Sequence, residues 1–144
     1  MKYLLAILNL LAGLVLTRFT ISKLAAWPIS VAAFEDMAKP IGIDPTFFRI
    51  TTGFIIGYAA ISFFVNFLLI ILNKLGQCSF TRLFVFNCFY ALGAMTGALF
   101  SEFFLRSSPK WALVYIAVGI IAIVISNLVT FYGTISNVLL SPKK

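Results

Sequence analysis

The chain has 144 residues, of which 62% are hydrophobic and only 10% are charged. A soluble domain of this size has too little interior to bury so much apolar surface, so the composition indicates a membrane protein. The eleven Lys and Arg residues outnumber the four acids. They lie between or at the ends of apolar runs and form no dense basic patch, which argues against nucleic-acid binding.

Four apolar runs are each long enough to cross a bilayer as a helix, which takes about 20 residues. The spans are predicted at about residues 3–24, 47–72, 81–105 and 111–132. The first run could be a signal peptide, but it is rather long for one and no clear A-x-A cleavage site follows, so we expect a retained span. The prediction is a single all-α membrane domain over residues 1–144, folded as a four-transmembrane-helix bundle.

The connection between the first two spans is long enough to hold structure of its own. Pro28 lies where a helix would begin, since proline is favoured in the first turn. The segment after it combines apolar residues with the charged residues Glu35, Asp36 and Lys39. This pattern predicts a short interfacial helix at about residues 28–39, lying on the mouth of the bundle.

An even number of spans places both termini on one side of the membrane. That side carries Lys2, Lys74, Arg82, Lys143 and Lys144 without any acid, whereas all four acids fall on the other side. Lys and Arg are almost evenly divided between the two sides. The acid-free face favours termini in the cytoplasm.

Small residues recur at helical spacing inside the spans. Gly53 and Gly57 form one G-x-x-x-G motif, and Gly93 and Gly97 form another. Such motifs let membrane helices approach closely, so both are predicted to pack helices within the bundle. Three asparagines lie deep in the spans and are expected to hydrogen-bond between helices: Asn66, Asn87 and Asn127. In the first span, Asn9, Gly13 and Thr17 form a single small and polar stripe.

Charged residues gather at the end of the bundle that carries the long connection. Arg18 and Lys23 lie where the first span ends, Arg49 where the second begins, and Glu102 near the end of the third. A cation as deep as Arg18 must be paired, solvated or able to reach the headgroups. Glu102 is the sole acid inside a span, so the preferred prediction is an Arg18–Glu102 ion pair.

Three explanations of this cluster of charged residues stay open. The ion pair could only join the first and third spans, or the Arg18 side chain could extend to the headgroups without any partner. In the functional interpretation, an anionic headgroup or quinone-like ligand binds beneath the loop helix, with Trp27 and Phe34 as its apolar wall. The ligand-binding or ion-pair candidates are Arg18, Lys23, Trp27, Arg49 and Glu102.

The residues expected of an enzyme or a metal site are scarce. There is no histidine, which excludes His-based zinc sites, haem held by two histidines, and His acid–base chemistry. Cys78 and Cys88 are not spaced as a C-x-x-C pair. The sequence therefore presents no catalytic residues and no metal site, and it favours a protein without autonomous enzyme activity.

Three short motifs remain: Ile21-Ser-Lys-Leu24, then Phe34 to Met37 with Gly42-Ile43, then Phe48-Arg-Ile-Thr-Thr-Gly53. Together they resemble the DoxX-like membrane family. The chain departs from the family pattern at Ser22, where glycine is frequent, and in Gly57-Tyr-Ala59, where an acid is frequent. The resemblance implies a bacterial inner-membrane protein. Family members are linked to thiosulfate:quinone oxidoreductase subunits and to complexes handling oxidative stress, and an animal branch acts in receptor assembly.

Two functional hypotheses follow. The first is a small non-catalytic membrane subunit or assembly factor. The alternative is a quinone- or lipid-binding subunit of an oxidoreductase complex similar to thiosulfate:quinone oxidoreductase. No cofactor is evident, and a quinone or a bound lipid is the candidate. The expected partners are the bilayer and a partner protein or a second copy of the chain. A transporter is disfavoured, because no proline interrupts a span and no inverted repeat is evident.

Overall fold

The computed structural model describes residues 1–139, which fold into helices without a β-strand in that range. A 3₁₀ turn, Lys39–Ile41, follows the second helix, and a π-helical turn, Ser101–Leu105, extends the fourth. The six α-helices are α1 Lys2–Leu24, α2 Pro28–Ala38, α3 Pro45–Ile71, α4 Cys78–Phe100, α5 Trp111–Thr130 and α6 Tyr132–Leu139.

Four of these helices are long and apolar enough to cross a membrane. They are α1, α3, α4 with its π-helical turn, and α5. The predicted all-α, four-helix arrangement is confirmed, and the chain is a multi-pass membrane protein. Lys143 and Lys144, which contribute to the predicted basic side, lie outside the described residues.

Exposed aromatic residues mark both ends of the bundle. Trp27 and Trp111 are exposed at the end that carries α2, and Tyr3 and Tyr132 are exposed at the opposite end. Aromatic side chains of this kind are enriched at the two membrane–water interfaces. Their positions therefore fit helices that cross the bilayer from one interface to the other.

The helix α2 forms where the loop helix was expected. Pro28 occupies its first turn, and Gly42 ends the 3₁₀ turn after it with a φ of 66°, a left-handed conformation that glycine adopts without steric cost. Asp44 then caps α3, because its side chain accepts a hydrogen bond of 2.6 Å from the backbone N–H of Phe47. The chain thereby turns from the membrane surface into the second span.

The first G-x-x-x-G motif brings α1 and α3 together as expected. A Cβ atom at Gly53 would lie 2.8 Å from Leu24 Cδ2, and one at Gly57 would lie 3.1 Å from Thr20 Cγ2. A larger residue at either position would force these neighbouring side chains to shift. The second motif does not pack helices, because a Cβ atom at Gly93 or Gly97 would meet no atom within 4 Å.

Buried amides connect the helices in the half of the bundle near the termini. Asn9 and Asn127 exchange two hydrogen bonds of 2.9 and 3.0 Å between α1 and α5. Asn87 donates a hydrogen bond of 3.0 Å to Asn66, which joins α4 to α3. The expected hydrogen bonds between helices are confirmed. They give the buried amides the partners that lipid cannot provide.

Candidate functional site

A cavity of about 720 Å³ lies in the half of the bundle that carries α2. All four spans contribute to its walls, and α2 lies over it. Its lining is mainly apolar and includes Leu16, Phe48, Ile56, Met95 and Leu113. Pockets that hold small molecules in proteins measure roughly 300–1,000 Å³ and are mostly apolar with a few polar groups, so this cavity has the size and character of a ligand site.

Part of the cavity lining on α3 and α4 is exposed on the outside of the bundle, which indicates a sideways opening between these two helices. Ile55, Phe89, Gly93 and Gly97 all line the cavity, and all four are exposed on the outside of the bundle. The two glycines leave open space where a side chain would otherwise stand. Because α3 and α4 are membrane spans, this opening faces the bilayer.

Helix α2 forms the roof of the cavity. Phe34 is buried there, lines the cavity, and packs edge-on against Phe48 with ring centroids 5.1 Å apart. On the outer side of α2, Asp36 Oδ2 accepts hydrogen bonds from the Ser107 backbone N–H at 3.1 Å and from its hydroxyl at 2.7 Å. The roof is therefore tied to the connection between α4 and α5.

Glu102 lies in the π-helical turn and is buried at the cavity wall. Its carboxylate accepts hydrogen bonds from Arg106 Nη1 at 2.8 and 3.2 Å and from the Lys110 backbone N–H at 3.1 Å. Within residues 1–139 the Glu102–Arg106 contact is the single salt bridge.

The predicted Arg18–Glu102 ion pair is not formed. Arg106 follows Glu102 by four residues, a spacing that brings two side chains together at a helix end, and it occupies the carboxylate instead. The Arg18 side chain is exposed and lies outside the cavity lining. Of the two structural explanations, an arginine that extends to the headgroups fits this position.

The other predicted residues divide between the cavity and its surroundings. Lys23 lines the cavity, with Nζ 5.5 Å from the Phe19 ring centroid and 5.7 Å from that of Phe34. Arg49 is buried outside the lining, where Nη1 donates a hydrogen bond to the Lys23 backbone carbonyl and holds α3 to the end of α1. Trp27 is 40% exposed and also outside the lining, so Phe34 alone contributes the predicted wall.

Some polar residues at this site were not predicted from the sequence, among them Arg106, Ser107 and Ser30. Arg106 follows the predicted third span, although its spacing of four residues from Glu102 is a recognisable signal for an ion pair. Ser107 fastens α2, and Ser30 lines the cavity from α2. Neither serine carries a sequence pattern that distinguishes it from an ordinary surface residue.

The tie between Asp36 and Ser107 predicts a pH dependence. The side-chain and backbone hydrogen bonds from Ser107, together with the charges of Lys39 and Arg106, lower the pKa of the Asp36 carboxyl below its ordinary value of 3.8. A lowered folded-state pKa gives stability that is present above the ordinary value and lost as the pH falls through the folded-state pKa. We therefore expect Asp36→Asn to loosen α2 at neutral pH but not in strong acid.

Hydrogen–deuterium exchange of the α2 amides checks this expectation. The Asp36→Asn variant should exchange faster than the wild-type protein at neutral pH, and the two proteins should converge once the pH lies well below 3.8. Glu35→Gln is the matched control, because Glu35 is the exposed acid next to Asp36. Equal protection of all three proteins at neutral pH would show that the tie does not hold the roof.

Comparisons with family models, with curated proteins and with solved structures give no match to this chain.

Proposed function

We propose that this chain is a non-catalytic membrane subunit that holds a lipid-like or quinone-like molecule in the cavity beneath α2. The observation that carries the proposal is the cavity itself, because it is apolar, opens toward the bilayer and has charged residues at one end. A molecule with a polar head and an apolar tail matches that distribution. The lining contains a single carboxylate, Glu102, which Arg106 already engages, so the site favours binding over acid–base chemistry.

The setting of this subunit forms part of the proposal. The resemblance of Lys23-Leu24 and the Phe48–Gly53 segment to DoxX-like proteins supports a bacterial inner membrane and a role beside a partner protein, such as an oxidoreductase subunit. The acid-free terminal side supports termini in the cytoplasm. The cavity then opens in the outer half of the bilayer.

Filling the cavity tests whether it holds a molecule. The Gly97→Phe variant places a large side chain at a lining position where a Cβ atom meets nothing within 4 Å. Replacing a glycine inside a helix also favours the helical state, so the bundle should fold. We expect native mass spectrometry of protein released from nanodiscs to find a bound molecule on the wild-type protein and about tenfold less on this variant.

The matched control is Gly119→Phe. Gly119 is an exposed glycine of the span α5 with no atom within 4 Å of a Cβ, but it lies outside the cavity lining. This control should retain the bound molecule at the wild-type level. Equal occupancy in both variants, or no bound molecule on any of the three proteins, would contradict the proposed function and leave a subunit that only anchors its partner.

A further inference from the structure

The cavity ends at an ammonium group without an anionic partner. Lys23 is half-buried between the rings of Phe19 and Phe34, and it forms no salt bridge within the described part of the chain. The carboxylate of Glu102 is occupied by Arg106 and by the Lys110 backbone N–H. An ammonium group has three donors, so Lys23 keeps donors for a group that enters the cavity.

A second polar group faces the same space without a partner. Ser30 is 7% exposed and lines the cavity from α2. Its hydroxyl is one of two buried side-chain groups among residues 1–139 that have no hydrogen-bond partner, and the other, Ser62, lies away from the cavity. An unsatisfied buried hydroxyl is costly, because it has lost water and gained nothing in return. A ligand oxygen at this end of the cavity would remove that cost.

The charge of the lining favours an anion. Lys23, Arg106 and Lys110 supply three cationic side chains, and Glu102 supplies the single carboxylate. After the Glu102–Arg106 pair is set aside, the lining keeps an excess of positive charge. Apolar walls strengthen the field of that charge inside the cavity, because they exclude water.

The depth of these groups matches that of a lipid in the same leaflet. Lys23 lies in the last turn of α1, at the membrane surface, while the lining continues down α1 to Leu16, about 10 Å deeper at 1.5 Å per residue. A tail would therefore point toward the bilayer centre while the head stays at headgroup depth. The opening between α3 and α4 admits such a molecule sideways, without turning it over.

We propose that the cavity selects amphiphiles with an anionic head group, a carboxylate or a phosphate, held by the Lys23 ammonium and the Ser30 hydroxyl. The tail lies against the apolar walls and enters between α3 and α4. This inference rests on the proposed function and specifies its ligand. The anionic head could belong to a fatty acid or to an anionic phospholipid, and both present negatively charged oxygens to the same two groups.

The test compares two probes that differ in the head group alone. Wild-type protein in nanodiscs of neutral phosphatidylcholine is titrated with radiolabelled oleate and with oleyl alcohol. We expect Lys23→Met to weaken oleate binding by about tenfold or more, since hydrogen bonds to charged groups are the stronger ones. Binding of oleyl alcohol to the same variant should change less than about twofold. Lys39→Met is the matched control, because it removes an exposed cation outside the lining.

Two further measurements identify the source of the head group and ensure that the test does not depend on a single variant. Ser30→Ala should also weaken oleate binding more than oleyl alcohol binding. Displacement of oleate by phosphatidylglycerol supports a phospholipid ligand, and resistance to it supports a free carboxylate. Equal losses for both probes in Lys23→Met and in Ser30→Ala would overturn the head-group inference while the proposed function stands. If neither probe binds wild-type protein more than Gly97→Phe, the proposed function fails as well.

Discussion

Replacing Glu102 with leucine is expected to lower the free energy of unfolding by about 3 kcal/mol, because it leaves a buried cation without its partner. The side chains of Glu102 and Arg106 are each 8% exposed, and the carboxylate also accepts the Lys110 backbone N–H. This value is at the lower end of the free-energy costs known for breaking a buried ion pair, since this end of the bundle lies near the membrane surface. Reversible unfolding in mixed micelles with increasing SDS measures the change.

Companion variants separate the pair from a general effect of lost charge. Arg106→Leu should cost a similar amount, and the double variant should cost less than the sum, because neither charge is then left alone. Glu35→Leu and Arg18→Leu, both at exposed positions, should each change the free energy of unfolding by less than about 0.5 kcal/mol. A cost for Arg18→Leu equal to that for Arg106→Leu would instead support the Arg18–Glu102 pair.

The spans and the roof helix could be predicted because their signals are local. A run of apolar residues long enough to cross a bilayer identifies a span without any knowledge of its neighbours. Pro28 and Pro45 act on the backbone at their own positions, so they place the starts of α2 and α3, and Gly42 ends the 3₁₀ turn between these helices. Deep asparagines need partners in lipid, which made hydrogen bonds between helices predictable, although not which amides would meet.

The contacts among the charged residues at the α2 end of the bundle could not be predicted. They depend on how each helix is rotated about its axis and on how far apart the helices lie. Depth in the membrane placed Arg18 and Glu102 in one leaflet, but Arg18 is exposed while Glu102 is buried. The motifs at Gly53 and Gly93 have identical spacing, yet the first meets Leu24 and the second meets open space. The spacing of two residues in the sequence shows only that they share one helix face. The distance to the neighbouring helix depends on the packing of the whole bundle.

The positions of the polar contacts explain how one bundle can be closed at one end and open at the other. The Asn9–Asn127 and Asn66–Asn87 contacts lie in the half near the termini, whereas the cavity occupies the half beneath α2. Tight contact at Gly53 and Gly57 joins α1 to α3, whereas Gly93 and Gly97 of α4 leave open space beside the cavity. The residues of the closed half are therefore expected to affect stability without affecting ligand binding.

Replacing Asn9 with leucine is expected to lower the free energy of unfolding by about 2 kcal/mol, because it leaves the buried Asn127 amide unsatisfied. Both asparagines are 0% exposed, and the substitution removes two hydrogen bonds of 2.9 and 3.0 Å. Unfolding in SDS-containing micelles measures this change. Occupancy of the cavity, measured by native mass spectrometry, should remain at the wild-type level, since neither asparagine lines it.

A double-mutant cycle isolates the contact between the two amides. Combining Asn9→Leu with Asn127→Leu should cost less than the sum of the single variants, with a coupling energy of about 1 kcal/mol, within the range measured for hydrogen bonds between membrane helices. Thr96→Val is the matched control, because the Thr96 hydroxyl bonds only to the Leu92 carbonyl of its own helix. Additive costs would show that the pair does not hold α1 to α5. A loss of bound ligand in either single variant would show that the closed half also shapes the cavity, because the two halves would then move together.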